Sequence, residues 1–139
     1  VEPYEWCNIH PANKHDIGYR LACMALNRTY GKKVVHCDSP RFRSAEFADG
    51  KAVVSLDNAE YGFSRLVGIE GFELCGSDGV FHPADVSVDG QMRLVISSKE
   101  VPEPSAVRYC FRNFQIGNLA NSWGLPVIPF RTDDFQPRP

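Results

Sequence analysis

The sequence has no apolar run approaching the roughly 20 residues a helix needs to span a bilayer. Nor does it open on the charged, apolar and small-residue succession of a signal peptide. It has no Cys-x-x-Cys pair, because Cys7, Cys23, Cys37, Cys75 and Cys110 lie far apart. Tetrahedral zinc sites draw on close ligand pairs, so no structural metal is expected, and no other cofactor is called for. A Gly-x-Ser-x-Gly elbow is also missing, which removes the most direct signature of a nucleophilic serine. Neither sign of charge dominates. A formal net charge of -2 gives no reason to expect nucleic acid or an anionic membrane as partner.

What is present fits a folded chain. Hydrophobic residues make up 43% and aromatics 12% of 139 residues, enough for one ordinary domain or for a small domain joined to part of another. The chain starts abruptly at Val1, which fits a fragment or processed product as well as a natural N-terminus. The cysteine count of five is odd, so at least one thiol is free or bonded to another chain. Cys23 falls among apolar helix positions and Cys110 in a strand-like run, where cysteine packs as a small hydrophobe, and mostly free thiols are expected. Asn27-Arg28-Thr29 is a glycosylation sequon, a triplet common enough by chance to say little about compartment.

Over residues 13–30 the apolar side chains Ile17, Leu21, Met24 and Ala25 recur at the spacing of one helical face. Asn8 or Asn13 is placed to cap the start, Asp16 lies near the positive end of the helix dipole, and Arg28 near the negative end. Gly31 supplies a C-cap. Val34-Val35 reads as a short strand or the start of a linker, and Asp38-Ser39-Pro40 as a turn, which puts a boundary between residues 1–37 and 38–139.

Beyond it the pattern becomes short β-rich runs broken by turn residues, the pattern of an antiparallel sandwich or barrel. The candidate strands are Ser44 to Phe47, Ala52 to Leu56, Gly71 to Cys75, Asp85 to Val88, Met92 to Ser97 and Ala106 to Phe111. Between them Asp49-Gly50, Ser77-Asp78-Gly79 and Asp89-Gly90 read as turns. The segment from Asn118 to Pro139 reads as an irregular extended tail anchored by Trp123, Leu125, Val127 and Phe130.

One residue is chemically poised. His10 precedes Pro11, which biases it towards an extended conformation on the loop entering the helix. A free imidazole has a pKa of about 6.5, so its surroundings decide whether such a group accepts or donates a proton near neutrality. A hydrolytic site also needs a nucleophile and a group to orient the base. Gly76-Ser77-Asp78-Gly79 lies between two strand candidates and reads as a hairpin turn. His15 and Asp16 read as solvating the exposed side of the helix, and His36 and His82 as surface or turn residues.

A longer set of residues carries a resemblance. Asn8-Ile9-His10-Pro11, Asn13-Lys14, Gly18, Arg20-Leu21 and Tyr30-Gly31 open it. Gly71-Phe72-Glu73-Leu74, Gly76, Asp78-Gly79, Phe81, Pro83-Ala84 and Ala106-Val107-Arg108-Tyr109 continue it. Asn118-Leu119, Asn121, Gly124-Leu125-Pro126 and Pro129-Phe130-Arg131-Thr132-Asp133 close it. In this order the residues resemble the C-terminal part of sialate O-acetylesterase-like proteins, within the SGNH (GDSL-like) hydrolases.

The resemblance implies an α+β chain. Residues 1–37 would be the last segment of an α/β catalytic domain, its His loop and C-terminal helix, and 38–139 a mainly antiparallel, β-sandwich-like accessory domain with an extended tail. It implies that His10 is the general base for a serine that removes an acetyl group from a hydroxyl of sialic acid or another sugar. The serine and oxyanion donors would lie in an upstream catalytic portion, the chain alone would be inactive, and a secreted, periplasmic or lysosomal setting would be favoured. The family has an aspartate where this chain has Asn8, and loss of the orienting carboxylate costs on the order of 10⁴ in rate in a serine protease. A weakened relative, an acid recruited from Glu5 or elsewhere, and a backbone carbonyl as orienter all remain open. The alternative is a non-catalytic module for glycan binding or domain packing, with Tyr61, Phe63, Tyr109, Phe111 and Trp123 as its aromatic surface.

Overall fold

The computed structural model describes residue 10 and residues 13–134, with helical structure up to Thr29 and strands from Arg41 onward. Helix α1 spans His15–Met24 and continues into a π turn over Ala25–Thr29. Asn13 caps its start. The Asn13 side-chain oxygen accepts the Asp16 N–H at 3.2 Å while its amide donates to the Asp16 carboxylate at 2.9 Å, a reciprocal arrangement that satisfies an orphan helix donor. At the other end the Tyr30 N–H reaches Ala25 O at 3.0 Å, and Gly31 takes the left-handed conformation (φ 69°) expected of a C-cap.

Val34-Val35 is linker and not strand. Lys33 and Val34 form a turn, the Asn27 amide holds Val35 O at 2.7 Å, and Pro40, buried, accepts the Ile128 N–H at 2.9 Å.

Among the described residues eight strands follow: β1 (Arg41–Ala48), β2 (Lys51–Asp57), β3 (Phe72–Cys75), β4 (His82–Pro83), β5 (Asp85–Val88), β6 (Leu94–Ser97), β7 (Ala106–Tyr109) and β8 (Phe130–Arg131). They form two four-stranded antiparallel sheets, β1-β2-β6-β5 and β4-β3-β7-β8. The β1–β2 turn has positive φ at both Asp49 (51°) and Gly50 (72°), the mirror-image geometry that matches strand twist. The other two expected turns also close hairpins, joining β3 to β4 and β5 to β6.

The buried faces share one core. Val54 and Leu56 of β2, with Leu94 and Ile96 of β6, meet Phe72, Leu74, Val107 and Phe130 of the second sheet. The tail is more regular than expected: residues 130–131 add β8 to the edge of β7, and Leu125, Val127 and Phe130 are buried anchors. Trp123 is not one of them. It lies at the surface, against residues of the linker.

The described cysteines, Cys23, Cys37, Cys75 and Cys110, are all free thiols, and Cys7 lies outside the described residues. Burial pushes the Cys75 and Cys110 thiols above their ordinary range, the behaviour of packed cysteines and not of nucleophiles.

Candidate functional site

His10 lies exposed in a bend ahead of α1. Asn8, Glu5 and Pro11 lie outside the described residues, so the expected pairing of position 8 with His10 is not part of the described geometry. Helix α1 follows His10 in the chain. Its inner side chain is Cys23, whereas Ile17 and Leu21, one turn apart on the face expected to be apolar, are 45% and 61% exposed. An amphipathic helix normally buries that stripe, so α1 presents an apolar face that the sheets do not cover. His15 and Asp16 are exposed and contact each other at 3.3 Å, in keeping with a solvated side of the helix.

The other candidate positions are structural. Ser77 and Asp78 form the β3–β4 turn, with the Gly79 N–H on Gly76 O at 3.3 Å and the Val80 N–H on the Asp78 carboxylate at 3.1 Å. His82 pairs with Glu100 at 2.9 Å beside that turn, a contact that no local spacing announces. His36 lies flat on Trp123, ring centroids 3.6 Å apart. Among the described residues no three His, Cys, Asp or Glu side chains gather as a metal site.

Two buried carboxylates escaped the sequence reading. Glu73, 3% exposed within β3, accepts hydrogen bonds from the Nε and Nη2 of Arg112, one on each carboxylate oxygen. Asp133 receives Arg108 in the same bidentate way, at 2.8 and 2.6 Å, and that ion pair raises the Arg108 guanidinium further above its ordinary range. Arg108 also stacks on the Phe81 ring at 3.8 Å, while Thr132 accepts the Val107 N–H at 2.9 Å. A charged residue inside an apolar run, as in Phe72-Glu73-Leu74, was the available signal. These clusters pin the tail and the 110–119 loop to the second sheet, and neither holds a nucleophile.

Of the five aromatics weighed as a glycan surface, Tyr109 is core, its hydroxyl pushed up chiefly by burial, with the Cys110 thiol beside it adding to the shift. Phe63 packs against the same core and Phe111 lies under Arg131. Only Tyr61 and Trp123 stand together at the surface, edge-on at 4.9 Å.

Comparison with known proteins adds one decisive observation. A crystal structure of a carbohydrate acetylesterase from Xanthomonas citri superposes on 92% of this chain with a TM-score of 0.82 and 40% sequence identity. This chain is similar to part of a carbohydrate acetylesterase. The resemblance read from the sequence is thereby shown, and at this identity the likeness extends beyond bare topology. The chain spans 30% of the length of that protein. No family model matches it, and no curated protein matches it.

Proposed function

We propose that the chain is the C-terminal portion of a serine-dependent carbohydrate O-acetylesterase of the sialate O-acetylesterase-like kind. On this reading residues 1–37 complete an SGNH-type α/β catalytic domain and residues 38–139 form its β-rich accessory domain. The observation that carries it is the 40% identity to a carbohydrate acetylesterase over 92% of the chain. The uncovered stripe of Ile17 and Leu21 supports it independently, because a helix at the edge of a catalytic domain would bury that stripe against the upstream portion.

His10 is then the general base. A serine from the upstream portion attacks the acetyl carbonyl as His10 takes its proton. The imidazolium returns that proton to the departing sugar oxygen, and water repeats the cycle to release acetate. Asn8 occupies the place of the orienting acid, and an amide cannot offer the negative charge that steadies an imidazolium.

The test is His10→Ala in a protein that includes the upstream portion. Hydrolysis of an acetylated sugar should fall by about 10³-fold or more with the melting temperature unchanged. Undiminished turnover would remove His10 from the mechanism. The 139-residue chain by itself should show no acyl-enzyme burst with an aryl acetate.

A further inference from the structure

Where the linker meets the segment after β2, the fold builds a groove of about 250 Å³ that the esterase mechanism does not use. Its wall is aromatic. His36 stacks on the Trp123 indole with planes 20° apart, and Tyr61 stands edge-on to the same indole at 69°. Tyr61 is 70% exposed and Trp123 38%. Two large rings held against each other in water form an apolar surface that folding has not buried.

The rest of the lining is Asn27, Cys37, Asp38, Asn58 and Glu60, mostly polar. Asp38 is oriented by Arg28, Asn58 by its bond to Ser39 O at 3.2 Å, and Glu60 has no hydrogen-bonding partner among the described residues. No lysine or arginine is itself in the lining, but Arg28 pairs with Asp38 and Lys33 reaches the Asn27 amide oxygen at 3.5 Å, which leaves Glu60 as the lining carboxylate with no cationic partner among the described residues.

We propose that this groove is a binding subsite for a neutral sugar residue. The apolar face of a pyranose ring packs on Tyr61, since His36 already covers one face of Trp123. Hydroxyl groups donate to Glu60 and Asp38, and Glu60, which has no ion-pair partner among the described residues, would repel the carboxylate of an acidic sugar such as sialic acid. The groove has room for one sugar ring, so the subsite holds a single unit of a longer glycan. The inference rests on carbohydrate being the substrate class, and it narrows that class to glycans with neutral units.

The experiment is a fluorescence titration of the 139-residue chain carrying Trp6→Phe, which leaves Trp123 as the sole indole. The probes are cellohexaose, maltohexaose and N-acetylneuraminic acid at pH 7.5. A saturable change with either neutral oligosaccharide is expected. It should weaken about tenfold in Tyr61→Ala, and N-acetylneuraminic acid should bind more weakly than the neutral probe. Tyr61 is exposed, so that variant should keep the parent melting temperature, which is measured alongside. The proposal is overturned if neither neutral sugar saturates, if Tyr61→Ala binds as the parent does, or if the acidic sugar binds as well as the neutral ones. Such a failure leaves the esterase reading intact, since that reading stands or falls with His10→Ala. A neutral-sugar response combined with an undiminished His10→Ala enzyme would instead retain the subsite and remove His10 from catalysis.

Discussion

Glu73 shows what a single residue costs and how the fold meets that cost. A carboxylate 3% exposed between Phe72 and Leu74 has left water, and both of its oxygens are satisfied by Arg112 from the loop after β7. Arg112 is itself about half exposed, so the pair is partly screened and its removal should cost less than for a fully buried ion pair. Arg112→Met is expected to destabilise the chain by about 2 kcal/mol in denaturant unfolding. The double variant Glu73→Gln/Arg112→Met should recover most of that loss, because no buried charge then stands alone. If Arg112→Met leaves the midpoint unchanged, the pair does not hold the 110–119 loop. Gly117 marks the tightness of the same loop: a β-carbon there would overlap the Cys110 sulfur and stand 2.6 Å from the Tyr109 hydroxyl.

Among the elements, the hairpins were legible because glycine and aspartate announce them, and the β5–β6 hairpin shows the mechanism. The Asp89 carboxylate accepts the N–H groups of Gln91 at 2.8 Å and Arg93 at 2.9 Å, and the Arg93 Nε at 2.8 Å. These bonds, that of the Arg93 backbone foremost, hold its carboxyl below the usual carboxylate range. A carboxyl with a folded pKa below its unfolded value of about 3.9 adds stability that is present above that value and lost as pH falls through the folded one. The melting temperature of Asp89→Asn should therefore fall less steeply than that of the parent between about pH 5 and pH 2. Parallel curves would show that Asp89 contributes no linkage. Other boundaries left no such mark. β6 starts later and β7 ends earlier than alternation suggested, because Met92 (φ 58°) and Cys110 (φ 47°) adopt left-handed conformations that non-glycine residues rarely signal. β4 and β8, two residues each, are too short to carry a period, and their pairing depends on tertiary neighbours. At the site, His10 was legible as a candidate from Pro11 and the following helix. The His36–Trp123 stack was not, since it joins residues 87 positions apart whose approach depends on how the tail lies.

At the scale of the molecule the two regions differ in what secures them. The sheets enclose a shared apolar core, so β2, β3, β6 and β7 should open only with the whole domain. Helix α1 spans ten residues, short of the length at which an isolated helix persists in water, and Cys23 is its buried side chain. Its cap at Asn13 and its turn at Gly31 define the ends but add too little to replace packing. Hydrogen exchange on the 139-residue chain should therefore find α1 amides exchanging about 10²-fold or more faster than those of β6. Adding the upstream portion should slow α1 exchange towards that of the core, because Ile17 and Leu21 would then be covered. Equal protection of α1 and β6 in the chain alone would mean that the helix is secured without a partner. The exposed stripe would then no longer argue that residues 1–37 complete a larger catalytic domain.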